Sequence, residues 1–374
     1  MKCSRLDLPS DRVDPSRRRR PRRRRPAQTK GKAMPMRHAA ARAVLAAAFT
    51  ITLAAAPAGA RAAPPLPALR ADANRVSVSG LSSGAYMALQ YQVAYSASVV
   101  GVGVIAGGPY YCAAGSVANT DLCRGLVPNM VPDSGRLVAA AQGFAASGQI
   151  DPLANLQRAR IYLFSGTKDT LVRQSAVDAT WSFFWLVGVP VTNIVYVADV
   201  PAGHAFVTPS AGNACDANAA PFISHCTVGQ SGYDQAGALL DAIYGPLAPP
   251  AATPTGRAIA FDQREFAPAS SGLAAQGYAY VPRTCDANAG CKVHVVFHGC
   301  LQSAAVVRDM TTYDNWADAN GIVVLYPQVA KTSTPNDPQG CWDWFAYTGQ
   351  NYAWKSGAQM RAVRAMIERV TSAP

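Results

Sequence analysis

The chain has 374 residues, with 34 Lys and Arg against 22 Asp and Glu and a formal net charge of +12. The basic excess lies in residues 1–62, which hold 16 Lys and Arg and 3 Asp, so residues 63–374 are close to neutral. A nucleic-acid-binding protein needs basic groups on a folded face, and this distribution excludes that class for residues 63–374. Hydrophobic residues make up 49% of the chain, which is enough to bury a large core.

Residues 1–62 are typical of an N-terminal extension that ends in a secretory signal peptide. Arg37 and Arg42 precede an apolar stretch at 43–56 that is too short to span a membrane. Cleavage is expected near one of two small residues, Ala60 or Ala62. Three start codons remain open: Met1, Met34 and Met36. We therefore expect a secreted, extracellular or periplasmic protein without an integral membrane segment in the mature chain.

After residue 62, short β-rich runs alternate with helical stretches. Candidate strands, rich in β-branched and aromatic residues, are 75–78, 99–105, 159–164, 193–197, 276–281, 292–297 and 321–326. Candidate helices, with apolar residues at helical spacing, are 85–95, 173–187, 235–244, 304–319 and 357–371. The near-continuous apolar strands indicate a sheet with helices on both faces, as in mostly parallel α/β folds.

A Pro-rich stretch at 245–256 interrupts this alternation. Such stretches often link a catalytic domain to a binding module. Residues 257–374 nevertheless contain further parallel-type strands and a closing helix, which would complete the same sheet. We therefore expect residues 63–374 to form a single α/β domain, with 245–256 as a surface connection.

The most informative motif is the G-x-S-x-G pattern formed by Gly80, Ser82 and Gly84. It directly follows the candidate strand at 75–78 and directly precedes the candidate helix at 85–95. A nucleophile elbow needs this context, because the turn from strand to helix is so tight that only residues without a Cβ fit beside the serine. The motif predicts Ser82 as a nucleophile at the start of a helix.

A serine hydroxyl becomes a nucleophile when a base takes its proton and an acid orients that base. Asp169 follows the candidate strand at 159–164, and His204 follows the one at 193–197, so both are expected at the carboxyl edge of the sheet. The order Ser82, Asp169, His204 is the order found in α/β-hydrolases. Weaker alternatives are His225 beside a cysteine, His294 within a strand and, for the acid, Asp199 and Asp178.

An oxyanion hole needs two backbone N–H groups that face the oxygen of the tetrahedral intermediate. We expect one from Ser83, which follows the nucleophile, and the other from Cys300, in a turn that His298 braces. In ordinary α/β-hydrolases the strand before this turn precedes the nucleophile, whereas here it comes about 215 residues later. The simplest interpretation is a circularly permuted α/β-hydrolase fold, with 245–256 joining the former chain ends.

Eight cysteines remain after residue 62, and an even number in an exported chain indicates disulfides. Among roughly 100 possible pairings, local spacing favours Cys112–Cys123, Cys215–Cys226, Cys285–Cys291 and Cys300–Cys341. No C-x-x-C pair or second ligand cluster with zinc-like spacing occurs, so no metal is expected.

Five segments together resemble the extracellular short-chain-length polyhydroxyalkanoate depolymerases in which the lipase box comes early in the catalytic domain. These segments are residues 79–87, 166–169, 203–204, 297–302 and 340–344. The resemblance implies a permuted α/β-hydrolase that cleaves poly(3-hydroxybutyrate) or its oligomers. It also implies Ser82, Asp169 and His204 as the catalytic triad, with Ser83 and Cys300 as the oxyanion hole.

Many secreted members of this family add a separate polymer-binding domain, whereas this chain ends at Pro374, soon after its last predicted helix. Amorphous polymer or soluble oligomers are therefore the expected substrates. Six aromatic residues crowd 342–354, a segment expected to be a surface loop. Grouped, exposed aromatic rings commonly mark a binding surface, and we expect Trp342 or Trp344 to contact the substrate, without a choice between them.

The sequence thus predicts a secreted serine esterase without a metal or cofactor. Its expected partner is a polyester or oligoester substrate, and its oligomeric state is not predicted. One alternative with the same chemistry is a feruloyl or acetyl esterase that acts on polysaccharide esters. An alternative of another class is an inactive secreted binding protein on a hydrolase scaffold, which a complete triad argues against.

Overall fold

The structure, a computed structural model, describes residues 63–334 and 336–374. The predicted extension and signal peptide at 1–62 lie outside the described residues. In chain order the strands are β1 Val76–Leu81, β2 Val99–Ile105, β3 Arg160–Phe164, β4 Ile194–Val197, β5 Phe206–Thr208, β6 Ile223–His225, β7 Thr227–Val228, β8 Ser231–Gly232, β9 Arg257–Asp262, β10 Gln276–Val281, β11 Lys292–Phe297 and β12 Ile322–Tyr326. The α-helices are α1 Ser83–Ala94, α2 Thr120–Cys123, α3 Ser134–Ala146, α4 Gln174–Leu186, α5 Gln235–Tyr244, α6 Arg283–Ala287, α7 Ala304–Met310, α8 Tyr313–Asn320 and α9 Ala358–Thr371.

Eight of the strands form one sheet, in the order β4-β3-β2-β1-β11-β12-β10-β9. The first six strands in this order, β4, β3, β2, β1, β11 and β12, run parallel to one another. Strand β10 runs antiparallel to both of its neighbours. In the central strand β1, Val78 lies opposite Val102 of β2 on one side and Val295 of β11 on the other. Strands from both sides of the Pro-rich stretch at 245–256 therefore share one sheet. The loops after the parallel strands meet at its carboxyl edge.

Successive side chains along each strand point to opposite faces of the sheet, so the apolar residues cover both faces. In β11, Val295 and Phe297 face a core shared with α1, α3, α4 and α9, whereas Val296 faces a second core shared with α5, α7 and α8. Burying such a side chain contributes about 1.5–3 kcal/mol relative to leaving it exposed. This double cover explains the near-continuous apolar sequence of the strands and confirms the predicted α/β fold class.

The predicted helix at 304–319 is divided into two helices, α7 and α8. The division falls at Thr311, whose backbone is extended (φ −101°, ψ 167°). Its hydroxyl donates to the Val307 carbonyl oxygen at 2.6 Å, which satisfies an acceptor in the last turn of α7. The change of direction lets the first residue of α8, Tyr313, pack fully buried in the second core.

Four disulfides join the described cysteines in the pairs that local spacing favours, and each closes a loop of 6 to 41 residues: Cys112–Cys123, Cys215–Cys226, Cys285–Cys291 and Cys300–Cys341. Within the part of the chain that the structure describes, no helix is long and apolar enough to cross a membrane.

Candidate active site

Ser82 lies in the tight turn between β1 and α1, where its backbone has φ 58° and ψ −122°. A residue other than glycine rarely adopts a positive φ, and a nucleophile elbow requires this strained conformation. The flanking glycines are needed because a Cβ on Gly84 would lie 2.2 Å from the Phe297 carbonyl oxygen, and one on Gly80 only 2.3 Å from the Gly84 carbonyl oxygen. The Ser82 N–H donates to the Ile105 carbonyl oxygen at 3.0 Å, so β2 also holds the turn. The half-buried serine is thus fixed at the carboxyl edge of the sheet.

His204 and Asp169 come together from the loops after β4 and β3. The Nδ1 atom of His204 lies 2.7 Å from Oδ2 of Asp169, and each residue is only 4% exposed. The other carboxylate oxygen accepts the N–H groups of Leu171 (2.8 Å) and Val172 (2.9 Å). A carboxylate can only accept hydrogen bonds, so the hydrogen is assigned to Nδ1 and Nε2 is left as a base. His204 and Ser82 line the same cavity.

Asn218 joins the acid loop to the histidine loop, and the sequence analysis did not single it out. Its Oδ1 accepts the backbone N–H groups of Thr170 and His204, both at 3.0 Å. Its Nδ2 donates to the carbonyl oxygens of Lys168 (3.0 Å) and Asp216 (3.1 Å). One amide side chain therefore fixes the spacing of both loops. No local motif marks it, because its bonds to the acid loop reach about 50 residues back along the chain.

The two amides predicted for the oxyanion hole are both available to a ligand. Within residues 63–334 and 336–374, no backbone carbonyl oxygen accepts a hydrogen bond from the N–H group of Ser83 or Cys300. Cys300 lines the cavity and is joined by a disulfide to Cys341. The Cys341 N–H in turn donates to Oδ1 of Asp337 at 2.9 Å. The turn after β11 is therefore cross-linked to the segment around Cys341, which also lines the cavity.

His298 braces this turn, as the sequence analysis expects. Its Nδ1–H donates to the Gly299 carbonyl oxygen at 2.8 Å, and its Nε2 accepts the Val329 N–H at 3.1 Å. Burial lowers the pKa of His298 to about 4, so the ring is neutral and both nitrogens are occupied. The Gly299 N–H donates to Oε1 of Gln302 at 2.6 Å, and Nε2 of Gln302 donates to the Pro221 carbonyl oxygen at 2.7 Å. These bonds fix both the N–H and the carbonyl group of Gly299, directly before the Cys300 N–H.

The alternative catalytic residues lie away from this arrangement. His294 is fully buried within β11, and its two ring nitrogens bond to the hydroxyls of Ser77 (2.6 Å) and Ser79 (2.8 Å) in the neighbouring strand. Burial lowers the pKa of His294 to about 3, which makes it a neutral core residue. The remaining alternatives are exposed to solvent: His225, Asp178 and Asp199.

A cavity of about 540 Å³ opens between the loops, and its wall includes Ser82, His204, Cys300, Tyr86, Trp344 and Arg124. Trp344 stacks on Tyr86, with ring centroids 4.3 Å apart and an angle of 18° between the planes. The expected surface role of Trp342 is wrong, because this residue is fully buried and packs edge-on against Phe297 at 4.8 Å. Of the two tryptophans proposed from sequence, Trp344 lines the cavity and Trp342 belongs to the core.

Asp343 explains why the aromatic segment folds inward. Its Oδ1 accepts the N–H groups of Phe345 (3.2 Å), Ala346 (2.7 Å) and Tyr347 (3.1 Å), and its Oδ2 accepts the Thr348 N–H at 2.7 Å. The carboxylate thus supplies the partners that water would otherwise give to the backbone of this turn. The residues on its two sides point in different directions as a result, one tryptophan into the core and the other toward the cavity.

The described residues have three features of an α/β-hydrolase. These are a mostly parallel sheet covered on both faces, a strained serine turn between a strand and a helix, and a histidine–aspartate pair on the loops after β3 and β4. No protein-family model matches the chain. A poly(3-hydroxybutyrate) depolymerase of Delftia acidovorans is 46% identical over 317 residues, which cover 82% of this chain and 62% of that protein. A polyhydroxybutyrate depolymerase of Talaromyces funiculosus is 36% identical over 330 residues, which cover 83% of this chain and 94% of the relative. The chain belongs to the polyhydroxybutyrate depolymerase family.

Solved structures agree with this assignment. The crystal structure of a PHB depolymerase from Penicillium funiculosum has a TM-score of 0.74 and 34% identity, and the match covers 82% of this chain and 98% of that one. A second structure, a serine-to-alanine variant of a PHB depolymerase in complex with an R3HB trimer, matches with a TM-score of 0.73, 34% identity and the same coverage.

Proposed function

We propose that this chain is a serine esterase that hydrolyses poly(3-hydroxybutyrate) or its oligomers. The observation that carries the proposal is the 2.7 Å hydrogen bond between His204 and Asp169, beside a cavity that Ser82 also lines. The substrate is supported by the relatives, which are named poly(3-hydroxybutyrate) or polyhydroxybutyrate depolymerases, and by the R3HB trimer bound in one structural neighbour.

In the acylation step, Oγ of Ser82 attacks the ester carbonyl carbon while Nε2 of His204 takes the hydroxyl proton. The carboxylate of Asp169 stabilises the imidazolium that forms. The N–H groups of Ser83 and Cys300 donate to the oxygen that gains charge in the tetrahedral intermediate. His204 then passes its proton to the leaving alkoxide, and an acyl-enzyme remains on Ser82.

In the deacylation step, water takes the place of the leaving alcohol. Nε2 of His204 accepts a proton from the water as its oxygen attacks the acyl carbon. The second tetrahedral intermediate collapses, the proton passes to Oγ of Ser82, and the 3-hydroxy acid is released. The same two amides serve both intermediates, which explains why the Cys300 turn is braced so heavily.

We also propose that residues 63–374 form one circularly permuted α/β-hydrolase domain. In the sheet, β11 lies directly beside β1, although it comes about 215 residues later in the chain. This supports a fold in which the strand before the oxyanion turn once preceded the nucleophile strand. Secretion is supported by the predicted signal peptide and by the four disulfides, which persist in oxidising compartments.

The proposal is tested by comparing the wild type with Ser82→Ala on amorphous poly(3-hydroxybutyrate) and on a soluble 3-hydroxybutyrate dimer ester. We expect the variant to lose at least about 10⁴-fold in kcat on both substrates. The matched control is Ser182→Ala, which removes a half-buried hydroxyl from α4 and should leave activity unchanged. Ser82 should also be the residue labelled by a fluorophosphonate. A wild type that releases ferulate from methyl ferulate but leaves the polymer intact would support the feruloyl esterase alternative and overturn this proposal.

A further inference from the structure

Arg124 is the only lysine or arginine among the described residues that line the active-site cavity. Its position is fixed by its neighbours in the chain and in space. Cys123 is held by its disulfide to Cys112, and its carbonyl oxygen accepts the Tyr86 hydroxyl at 2.8 Å. The Arg124 carbonyl oxygen accepts the Arg173 N–H at 2.9 Å. The guanidinium is thus carried by a backbone that is anchored on both sides.

Most of the residues that line the cavity with Arg124 are apolar or aromatic, and they include Tyr86, Val117, Trp344 and Phe345. The ion pair with Asp121 uses one terminal nitrogen of Arg124, and the Asp121 side chain is 63% exposed. A guanidinium has five N–H donors, so several remain for a ligand. A surface ion pair of this kind contributes little to stability. The pair with Asp121 therefore does not by itself explain why an arginine lines the cavity.

Asp337 carries the one carboxyl group among the described lining residues, and it forms no ion pair with Arg124. Asp337 is 2% exposed, and its Oδ1 accepts the Cys341 N–H. Burial raises the pKa of Asp337, which favours its neutral form. Among the described residues of the lining, the Arg124 guanidinium is thus the one permanently charged group, and its ion-pair partner Asp121 lies outside the lining, so the cavity can bind an anion at this point.

The chemistry of the proposed substrate identifies that anion. Each oligomer of a hydroxy acid has one hydroxyl end and one carboxylate end, whereas the interior of a long polymer is uncharged. After attack by Ser82, the acyl group keeps the hydroxyl end and the leaving alcohol keeps the carboxylate end. A cation that recognises the carboxylate must therefore lie on the side of the leaving alcohol, where His204 delivers its proton. The bond from Arg173 to the Arg124 carbonyl oxygen connects the Arg124 backbone to the segment that follows Asp169.

We propose that Arg124 binds the terminal carboxylate of an oligo(3-hydroxybutyrate) chain and so directs cleavage to esters near that end. The inference rests on the proposed function and adds a specificity determinant to it. The enzyme would then act on soluble, acid-terminated oligomers more efficiently than on neutral chains of the same length. No new covalent step is involved, because Arg124 only binds and orients the leaving group.

The test compares two substrates that differ at the terminal carboxyl group, the 3-hydroxybutyrate trimer as its free acid and the same trimer as its methyl ester, and it counts only cleavage of the ester bonds between monomers. The measured quantity is the ratio of kcat/KM for the acid to kcat/KM for the methyl ester. For the wild type we expect a ratio of about 10 or more, since a charge-assisted hydrogen bond lost from a ligand costs about this factor. Arg124→Gln should lower the ratio about 10-fold, mainly through KM for the acid, and Arg124→Lys should retain part of it.

The matched control is Arg136→Gln, which removes an exposed arginine of α3 that does not line the cavity. This variant should keep the wild-type ratio, and a drop equal to that of Arg124→Gln would indicate a general charge effect and refute the site. A wild type without preference for the acid, or an Arg124→Gln variant with an unchanged ratio, overturns the inference while the proposed function stands. A wild type that cleaves neither trimer refutes the proposed function and this inference with it.

Discussion

Replacing Gly84 by alanine tests whether the close approach of α1 to β11 is required for catalysis. The added Cβ would lie 2.2 Å from the Phe297 carbonyl oxygen and 2.5 Å from that of His298, and both are backbone atoms. Real Cβ atoms do not come within 3.0 Å of such atoms, so the two backbones must separate by about 0.8 Å. The start of α1 carries the Ser83 amide, and the turn after β11 carries the Cys300 amide. The substitution therefore widens the proposed oxyanion hole.

Two effects of this separation can be given a size. A displacement of about 1 Å in a catalytic arrangement costs about 100-fold in rate. Overpacking a close backbone contact costs about 1–3 kcal/mol of stability. We therefore expect Gly84→Ala to lower kcat on a soluble ester about 100-fold and to lower Tm by several degrees, while the protein still folds.

The assay measures kcat per fluorophosphonate-reactive site, so that any unfolded fraction is not counted. Gly143→Ala is the matched control, because a Cβ on this exposed glycine of α3 meets nothing within 4 Å. It should raise stability by about 1 kcal/mol through helix propensity and leave kcat unchanged. A Gly84→Ala enzyme with kcat within threefold of the wild type would refute the steric argument.

Three further predictions concern residues around the site and in the second core. Asn218→Ala should lower kcat about 10–100-fold with little change in KM, because His204 loses its backbone anchor; an unchanged kcat would contradict the positioning role. Burial raises the pKa of Asp314 to about 7, so the native state holds this proton and stability should fall as pH rises from about 4 to about 7. Asp314→Asn should remove that fall, which is on the order of 2–4 kcal/mol. The measurement is the free energy of unfolding in urea at pH 5 and pH 8, and an equal fall in both proteins would count against the prediction. Removing the Cys300–Cys341 disulfide should cost about 3 kcal/mol in thermal unfolding, and it should lower kcat in the fraction that remains folded.

The central strands and the triad loops could be predicted from sequence for a common reason. Buried parallel strands consist of apolar, β-branched runs that turn residues bound sharply, and the predicted spans 99–105 and 292–297 coincide with β2 and β11. The catalytic candidates follow such strands directly, so their place in the sequence fixes their place in the sheet. The sequence alone is enough to predict where the nucleophile motif and the loops of Asp169 and His204 lie in the sheet.

Other elements carry too weak a local pattern to be found in this way. Helix α3 Ser134–Ala146 is rich in alanine and contains two glycines, and it buries only three residues, so its apolar periodicity is faint. Strand β9 Arg257–Asp262 is at the edge of the sheet and largely accessible, so it lacks the apolar run of a central strand. Both are fixed by tertiary packing and not by local propensity.

Within the site, the residues that could not be predicted owe their roles to distant contacts. Asn218 has an ordinary loop sequence around it, and only the folded chain brings it to the acid loop. Arg124 has no motif, because its neighbours in the cavity come from segments far apart in the chain. Trp342 was misassigned because composition reveals a dense aromatic segment but not the direction of each ring. That direction depends on the turn that Asp343 organises.

The Pro-rich stretch at 245–256 divides the enzyme into two halves that no described disulfide connects. The two cross-links before it and the two after it each close within their own half. A single proteolytic cut there would leave a first fragment with the hydroxyl, the imidazole and the carboxylate, and a second fragment with the braced turn. The pairing of β1 with β11, the hydrogen bond from Gln302 to Pro221 and the stacking of Trp344 on Tyr86 are among the contacts that would hold them together. The two fragments, made separately, would form a complementation pair whose turnover reports their reassociation.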